Sequence, residues 1–107
     1  MSNKNKESTR YYSNAHEKSV CKALGAKQQS NSGAATFAAG DCVQEDASML
    51  IECKTCMTEK SSFSIKSEWL QKNRDEAFAK RLQNYCVAFN FGPGLPNYYI
   101  INESLMR

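Results

Sequence analysis

Two short segments with apolar residues at their centres, in the middle of the chain, constrain its fold more than any other feature of the sequence. The segments are DCVQE (residues 41–45) and SMLIECKT (48–55), and only Asp46 and Ala47 separate them. Runs of this length, rich in β-branched and other apolar residues and bounded by polar ones, are typical of strands. So short a polar link is typical of a tight turn. The sequence therefore predicts a hairpin.

Charged residues gather at one end of the predicted hairpin. Side chains alternate along a strand, so Leu50, Glu52 and Lys54 face the same side. With a turn of about three residues, Asp41 falls opposite Cys53, one position from Glu52. The hairpin thus brings two carboxylates and one ammonium group together. A carboxylate in an apolar strand is costly unless something compensates its charge.

The segment before the hairpin predicts a helix followed by a loop. The helix runs from about Ser13 to Leu24 and ends at Gly25, because Val20 and Leu24 recur at helical spacing and glycine ends helices. Glu17 shares the apolar face of this helix and is predicted either to point inward or to lie at the rim of that face with its tip in water. Residues 26–40 are mostly small and polar and predict a loop that holds at most one short strand.

The segment after the hairpin predicts a helix and two strands. Ser64 or Ser67 is expected to cap the helix. The segments NYCVAFNFG (84–92) and NYYIIN (97–102) are typical of strands. The predicted order is α-β-β-α-β-β, an α/β (α+β) fold with a small mixed sheet flanked by helices. The apolar side of the second helix is predicted to comprise Trp69, Leu70, Ala77, Phe78 and Leu82.

Length and cysteine content bound the domain and its environment. The 107 residues predict one domain at 13–107, preceded by a flexible basic tail at 1–12. No apolar run approaches the roughly 20 residues that span a bilayer, and the N-terminus has no apolar export signal. Five cysteines, an odd number, are then expected to be reduced thiols in a cytoplasmic protein. A metal or redox role for Cys53-x-x-Cys56 is disfavoured, because no second such pair follows.

Charge is distributed unevenly along the chain. Residues 1–30 hold six basic and two acidic residues, and 54–81 hold seven basic and four acidic ones. Residues 41–53 between them hold four acidic residues and no basic one. A basic surface suits a polyanion such as nucleic acid, and a local acidic cluster suits a cation. On these counts alone, ordinary solvated charge is the favoured explanation.

The chemistry of Asp41, Glu52 and Lys54 is that of a phosphodiester hydrolase. Mg²⁺ or Mn²⁺ prefers carboxylate oxygens, and the backbone carbonyl of Cys53 offers another oxygen. Such an ion polarises a phosphoryl oxygen and lowers the pKa of its bound water. Lys54 is placed to position that water or to offset charge on the phosphate. The competing interpretation is a plain salt bridge between Glu52 and Lys54.

The pattern Asp41 … Glu52-Cys53-Lys54, with an apolar triplet before Glu52, resembles the active-site motif of the PD-(D/E)xK nuclease superfamily. A preceding helix with an inward Glu17 and the Ser-Gly loop QQSNSG resemble archaeal-type Holliday junction resolvases and related phage endonucleases. The similarity covers roughly residues 14–91. It implies a restriction-endonuclease-like core and activity as a metal-dependent endonuclease on branched DNA.

The resemblance also implies roles for individual residues. Asp41 and Glu52 bind the metal, Lys54 serves the water or the phosphate, and Glu17 completes the acidic cluster. The chain is expected to act as a homodimer, because a resolvase cuts two strands symmetrically. Two other functions remain open, namely a nicking or restriction-type nuclease of the same fold and a non-catalytic DNA-binding module. The expected DNA contacts are Lys27, Ser30, Ser32, Lys66 and Lys72.

Overall fold

The computed structural model describes residues 2–29 and 41–106. They form a mixed α+β fold with two α-helices and a five-stranded mixed sheet, which confirms the predicted class. Within these ranges no helix is long and apolar enough to cross a membrane. The elements in chain order are α1 (Ser2–Leu24), β1 (Lys27–Gln28), β2 (Asp41–Gln44), β3 (Met49–Lys54), α2 (Ser67–Ala79), β4 (Asn84–Phe89), β5 (Tyr98–Ile101) and a 3₁₀ helix (Glu103–Met106).

The strands lie in the sheet in the order in which they occur in the chain, β1-β2-β3-β4-β5. All neighbours are antiparallel except β3 and β4, which are parallel. A parallel pair needs a crossover connection, and α2 provides it. The predicted order of elements is confirmed, and β1 is the one short strand allowed for in the loop. The carboxyl ends of β3 and β4 therefore lie at the same edge of the sheet.

The β2–β3 hairpin has the predicted strands but a different register. Its turn comprises the four residues Glu45 to Ser48 and is closed by the Ser48 N–H, which donates to the Glu45 carbonyl at 3.0 Å. Because this turn is longer than the three residues expected, the pairing shifts by one position. Asp41 lies directly opposite Glu52 rather than opposite Cys53.

The two faces of the sheet are covered by different helices. On one face, Val20 of α1 packs against Cys42, Ile51 and two residues of β4 in a buried apolar cluster. Glu52 follows Ile51, so strand alternation places it on the other face. On that face α2 contacts β3 and β4. The site predicted at Glu52 is therefore built between the sheet and α2.

Helix α1 ends where the sequence predicts but begins earlier. Gly25 follows its last residue with a φ of 64°, and the Ala26 N–H donates to the Cys21 carbonyl at 2.9 Å. This left-handed glycine with a hydrogen bond back across the last turn is a Schellman ending. The helix starts at Ser2 rather than near Ser13, so it also spans residues 2–12 of the segment predicted as a tail.

Helix α2 differs from its prediction in its cap and in its buried face. Lys66 is the N-cap residue and makes no side-chain capping bond, so neither predicted serine caps the helix. Asn73 and Ala77 are the buried residues of α2, whereas Phe78 is 55% exposed. One residue advances the helix by about 100°, which turns Phe78 away from the face that Asn73 and Ala77 share at i, i+4. Phe78, which the sequence places on the apolar side of the helix, is therefore not part of its buried face.

The cysteines depart from the expected set of five thiols. Cys21 in α1 and Cys42 in β2 form a disulfide, with Cα atoms 6.3 Å apart. Cys53, Cys56 and Cys86 are not disulfide-bonded. Burial raises the pKa of the Cys86 thiol to about 11, so that thiol stays protonated near neutral pH.

Candidate active site

Glu52 and Lys54 form a close ion pair on the α2 face of β3. The Lys54 Nζ lies 3.0 Å from Oε2 of Glu52. Glu52 is only 5% exposed, and its other oxygen, Oε1, is buried and has no hydrogen-bond partner within the described part of the chain. A buried carboxylate is normally hydrogen-bonded at both oxygens. Glu52 therefore keeps one buried oxygen available as an acceptor or as a ligand.

The Lys54 ammonium is held from a second side by an aromatic ring. Its Nζ lies 4.7 Å from the centre of the Trp69 ring of α2. A cation over the face of an indole is attracted by the ring's quadrupole. With Glu52 on one side and Trp69 on the other, Lys54 has a defined position while 31% of its side chain stays exposed. Trp69 was predicted only as part of an apolar helix face.

A cavity of about 630 Å³ opens beside this pair, between β3 and α2. Four acidic side chains line it against only two lysines, Lys54 and Lys72. The polar α2 residues of the lining are related by spacings of three and four, which places them on one side of the helix. That spacing is visible in the sequence and indicates a polar side of the helix, but it does not say which face of the sheet that side meets. The lining residues are Glu52, Lys54, Glu68, Trp69, Gln71, Lys72, Asp75 and Glu76.

Asp41 is the first residue of β2 and the register partner of Glu52. Directly paired residues of an antiparallel ladder have Cα atoms roughly 4.5–5.5 Å apart. The side chain of Asp41 lies outside the described part of the structure. Among the side chains that are described, no group of three or more His, Cys, Asp and Glu residues lies close enough to hold a metal ion.

Glu17 lies on the other face of the sheet from Glu52. Its backbone carbonyl oxygen is 3.8 Å from the Cys42 sulfur, and Cys42 belongs to the apolar cluster under α1. Its carboxylate accepts a hydrogen bond from the Gln28 amide. Burial raises the pKa of the Glu17 carboxyl, and this hydrogen bond opposes the rise. The structure thus pairs Glu17 with Gln28 and does not bring it to the Glu52–Lys54 pair.

The residues predicted to contact DNA are spread over the molecule. Lys27 is exposed on β1, and its Nζ lies 3.7 Å from Oε1 of Glu45. Lys66 is exposed at the start of α2, and Lys72 lines the cavity beside Glu52. Ser30 and Ser32 lie outside the described residues. Lys72 is therefore the one of these five that the described structure brings to the candidate site.

His16 is a buried residue that the sequence analysis did not assign to any site. It is 4% exposed, and neither ring nitrogen makes a hydrogen bond of normal geometry to the described residues. Burial lowers the pKa of the imidazole, and the nearby Asn97 side chain opposes the change. A single histidine near the start of a chain gives no pattern from which its burial could have been predicted.

Replacing His16 with phenylalanine is expected to stabilise the protein. The change removes two buried nitrogens without leaving a cavity, and an unsatisfied buried polar group costs about 1–3 kcal/mol. The lowered pKa means that the unfolded chain binds the proton more tightly than the folded one. Stability of the wild type should therefore fall as the pH drops below the ordinary histidine pKa of about 6.5, a loss absent from His16→Phe. Urea unfolding between pH 8 and pH 5 measures both effects, and an equal pH slope in the two proteins would contradict this.

No protein-family model matches the chain, and no curated protein or solved structure is significantly similar to it.

Proposed function

We propose that the protein is a metal-dependent DNA endonuclease of the PD-(D/E)xK type, selective for branched DNA. The observation that carries the proposal is the buried Glu52 carboxylate. One of its oxygens binds Lys54 and the other has no partner among the described residues, beside an open cavity. The mixed sheet with a helix on each face is compatible with the restriction-endonuclease-like core that the motif implies.

The residues present fit a hard divalent cation. Glu52 supplies a buried oxygen that has no partner among the described side chains, Asp41 is its register partner, and the backbone carbonyl of Cys53 adds a further oxygen. The excess of acidic over basic side chains around the cavity favours a cation there. Bound Mg²⁺ or Mn²⁺ would polarise the scissile phosphate and lower the pKa of a water. Glu17, on the opposite face with Gln28, is not among the ligands we propose.

Lys54 and Lys72 supply the positive charge on the protein side. The ammonium of Lys54, fixed between Glu52 and Trp69, would hold the attacking water or offset charge on the phosphate. Lys72 lines the same cavity and would contact a neighbouring phosphate of the strand. Symmetric cutting of two strands would require two such sites, and we therefore expect a homodimer.

Two alternatives use the same residues. A nicking or restriction-type nuclease would have the same site but would also cut plain duplex. A non-catalytic DNA-binding module would keep the Glu52–Lys54 pair only as a salt bridge, and the 3.0 Å contact is what that reading requires. Oε1 of Glu52 has no partner within residues 11–29 and 42–106, and this favours catalysis because a purely structural ion pair gains from satisfying both oxygens.

A cleavage assay separates the three readings. The protein is incubated with end-labelled four-way junction, duplex and single-stranded DNA, with Mg²⁺, with Mn²⁺ and with chelator. We expect junction cleavage that requires metal and little cutting of the other two substrates. Equal cutting of duplex supports the nicking or restriction-type enzyme. Junction binding without cleavage under either metal supports the non-catalytic module.

Metal binding at Glu52 is also expected to stabilise the fold. A ligand at ten times its dissociation constant raises the free energy of unfolding by about 1.4 kcal/mol. Mg²⁺ or Mn²⁺ should therefore raise the urea midpoint of the wild type and leave that of Glu52→Gln unchanged. The matched control is Glu59→Gln, an exposed glutamate outside the cavity, which should respond as the wild type does. A metal response preserved in Glu52→Gln would remove this residue from the ligand set.

A further inference from the structure

A second cavity lies on the α1 side of the sheet, at the carboxyl ends of the parallel strands β3 and β4. Its volume is about 310 Å³, near the lower end of the roughly 300–1,000 Å³ typical of small-molecule sites. Thr55, which follows β3, and Asn90, which follows β4, both line it. The edge beyond the carboxyl ends of parallel strands is where ligands of α/β sheets commonly bind.

His16 gives this cavity an unused hydrogen-bonding group. The residue lines the cavity, is 4% exposed, and has no hydrogen bond of normal geometry at either ring nitrogen within the described residues. A neutral imidazole presents one donor and one acceptor. A buried polar side chain without a partner in a cavity wall points to a ligand that completes its hydrogen bonds.

Hydrogen bonds hold two amide side chains of the cavity wall in fixed positions. The Thr55 hydroxyl donates to Oδ1 of Asn90 at 2.7 Å, and Asn90 is only 4% exposed. The Nδ2 of Asn97 donates to the Ser19 hydroxyl at 3.1 Å. The cavity therefore carries several donors and acceptors with restricted orientation.

Two tyrosines complete the wall near the surface. Tyr11 and Tyr12 line the cavity, and their rings meet edge to face with centroids 5.3 Å apart. Tyr11 is 67% exposed, whereas His16 and Asn90 in the same cavity wall are buried. An exposed aromatic ring beside a polar pocket is suited to stacking on a planar ligand.

We propose that this cavity binds one unpaired nucleobase of the DNA substrate, stacked on Tyr11 and hydrogen-bonded by His16. A nucleobase is planar and has both donors and acceptors on its edge, as the cavity requires. No lysine or arginine is among the described residues that line the cavity, so a phosphate is a poorer match. The proposal rests on the proposed function, because the base must belong to a strand that also reaches Lys54.

The position of the cavity relative to the candidate active site supports this assignment. Lys54 lines the Glu52 cavity and the next residue, Thr55, lines the second one. The two cavities therefore adjoin the same strand end from opposite faces of the sheet. A branch point offers bases that are already unstacked, and such bases cost least to extrude. A base held on the α1 side would thus help to position the phosphate on the α2 side.

The test measures binding in chelator, so it does not depend on cleavage. The probe is a branched DNA with one unpaired 2-aminopurine at the branch, compared with the same DNA carrying an abasic residue there. We expect the base to improve affinity by about 5- to 100-fold, as stacking on an aromatic side chain does. We also expect 2-aminopurine fluorescence to be quenched on binding. Tyr11→Ala and His16→Phe should lose the preference, and Phe78→Ala, an exposed aromatic remote from the cavity, should keep it.

Free 2-aminopurine riboside is titrated in parallel to identify the source of the base. Weaker binding than that of the branched DNA supports a base within a strand, and equal binding would overturn that part of the proposal. Equal affinity for the base-containing and abasic DNA would overturn the pocket altogether, as would unchanged preference in both variants. Metal-dependent cleavage that persists in those cases leaves the nuclease proposal standing. Base-selective binding without cleavage under any metal would support the nucleobase pocket and overturn the nuclease proposal.

Discussion

Lys54→Ala is expected to reduce metal-dependent junction cleavage by at least about 100-fold, the usual loss when a group that acts on the transition state is removed. The Lys54 ammonium is held by Glu52 at 3.0 Å and by the Trp69 ring at 4.7 Å. Single-turnover cleavage of the labelled junction at saturating protein measures the effect. Junction affinity should change little, because one lysine supplies a small part of the contact with phosphates.

Two controls make this result specific. Lys22→Ala removes an exposed lysine from the last turn of α1, outside the Glu52 cavity, and should cut the junction as the wild type does. Circular dichroism must show that Lys54→Ala is folded, because the change leaves the buried Glu52 carboxylate without its ion-pair partner. If folded Lys54→Ala cleaved the junction at the wild-type rate, the assigned active site would be wrong. That result would leave the salt-bridge interpretation for this pair.

The central hairpin was predictable because its signals are local. Alternation along β3 correctly placed Glu52 and Lys54 on one face, and the short polar link correctly predicted the turn. The register was missed by one position, because a turn of three residues and one of four are equally compatible with the same letters. The pairing of Asp41 with Glu52 follows from that extra residue.

The contacts between α2 and the sheet could not have been predicted in the same way, because they are not local in the sequence. That α2 would cover the Glu52 face, and that Trp69 would lie over Lys54, depends on which side the crossover helix packs. Helical spacing predicted an apolar side of α2 that included the exposed Phe78 and did not include Asn73. The Asn73 amide is fully buried and has no partner in the described structure. Helical periodicity predicts a face, whereas the exact edges of that face are set by the neighbours that pack on it.

The position of Glu17 shows the same limit. Its place on the apolar face of α1 correctly predicted burial, and it is 5% exposed. The resemblance supplied a role in the acidic cluster with Glu52, but α1 packs on the face of β3 that Ile51 occupies. The face that a helix covers is a tertiary property. Knowing that Glu17 points inward was therefore not enough to predict that its hydrogen-bond partner is Gln28.

The Cys21–Cys42 disulfide joins α1 to the strand that begins with Asp41. It closes a segment that contains Gly25, β1 and residues 30–40. Spacing could not predict the pair, because five cysteines allow many pairings and the two residues are 21 positions apart. The bond restricts how far β2 can move from the face of α1, so it contributes to the position of the Asp41 backbone opposite Glu52.

Breaking this disulfide is expected to lower the free energy of unfolding by about 3 kcal/mol, the value for a closed loop of this length. That is a large fraction of the roughly 5–15 kcal/mol typical of a small domain. Urea unfolding with and without reductant measures the loss, and Cys21→Ser should reproduce it while becoming insensitive to reductant. The variant leaves Cys42 as a buried thiol 3.8 Å from the Glu17 carbonyl, which can accept its hydrogen bond. If reductant lowered the stability of Cys21→Ser as much as that of the wild type, the effect would lie elsewhere than in this bond.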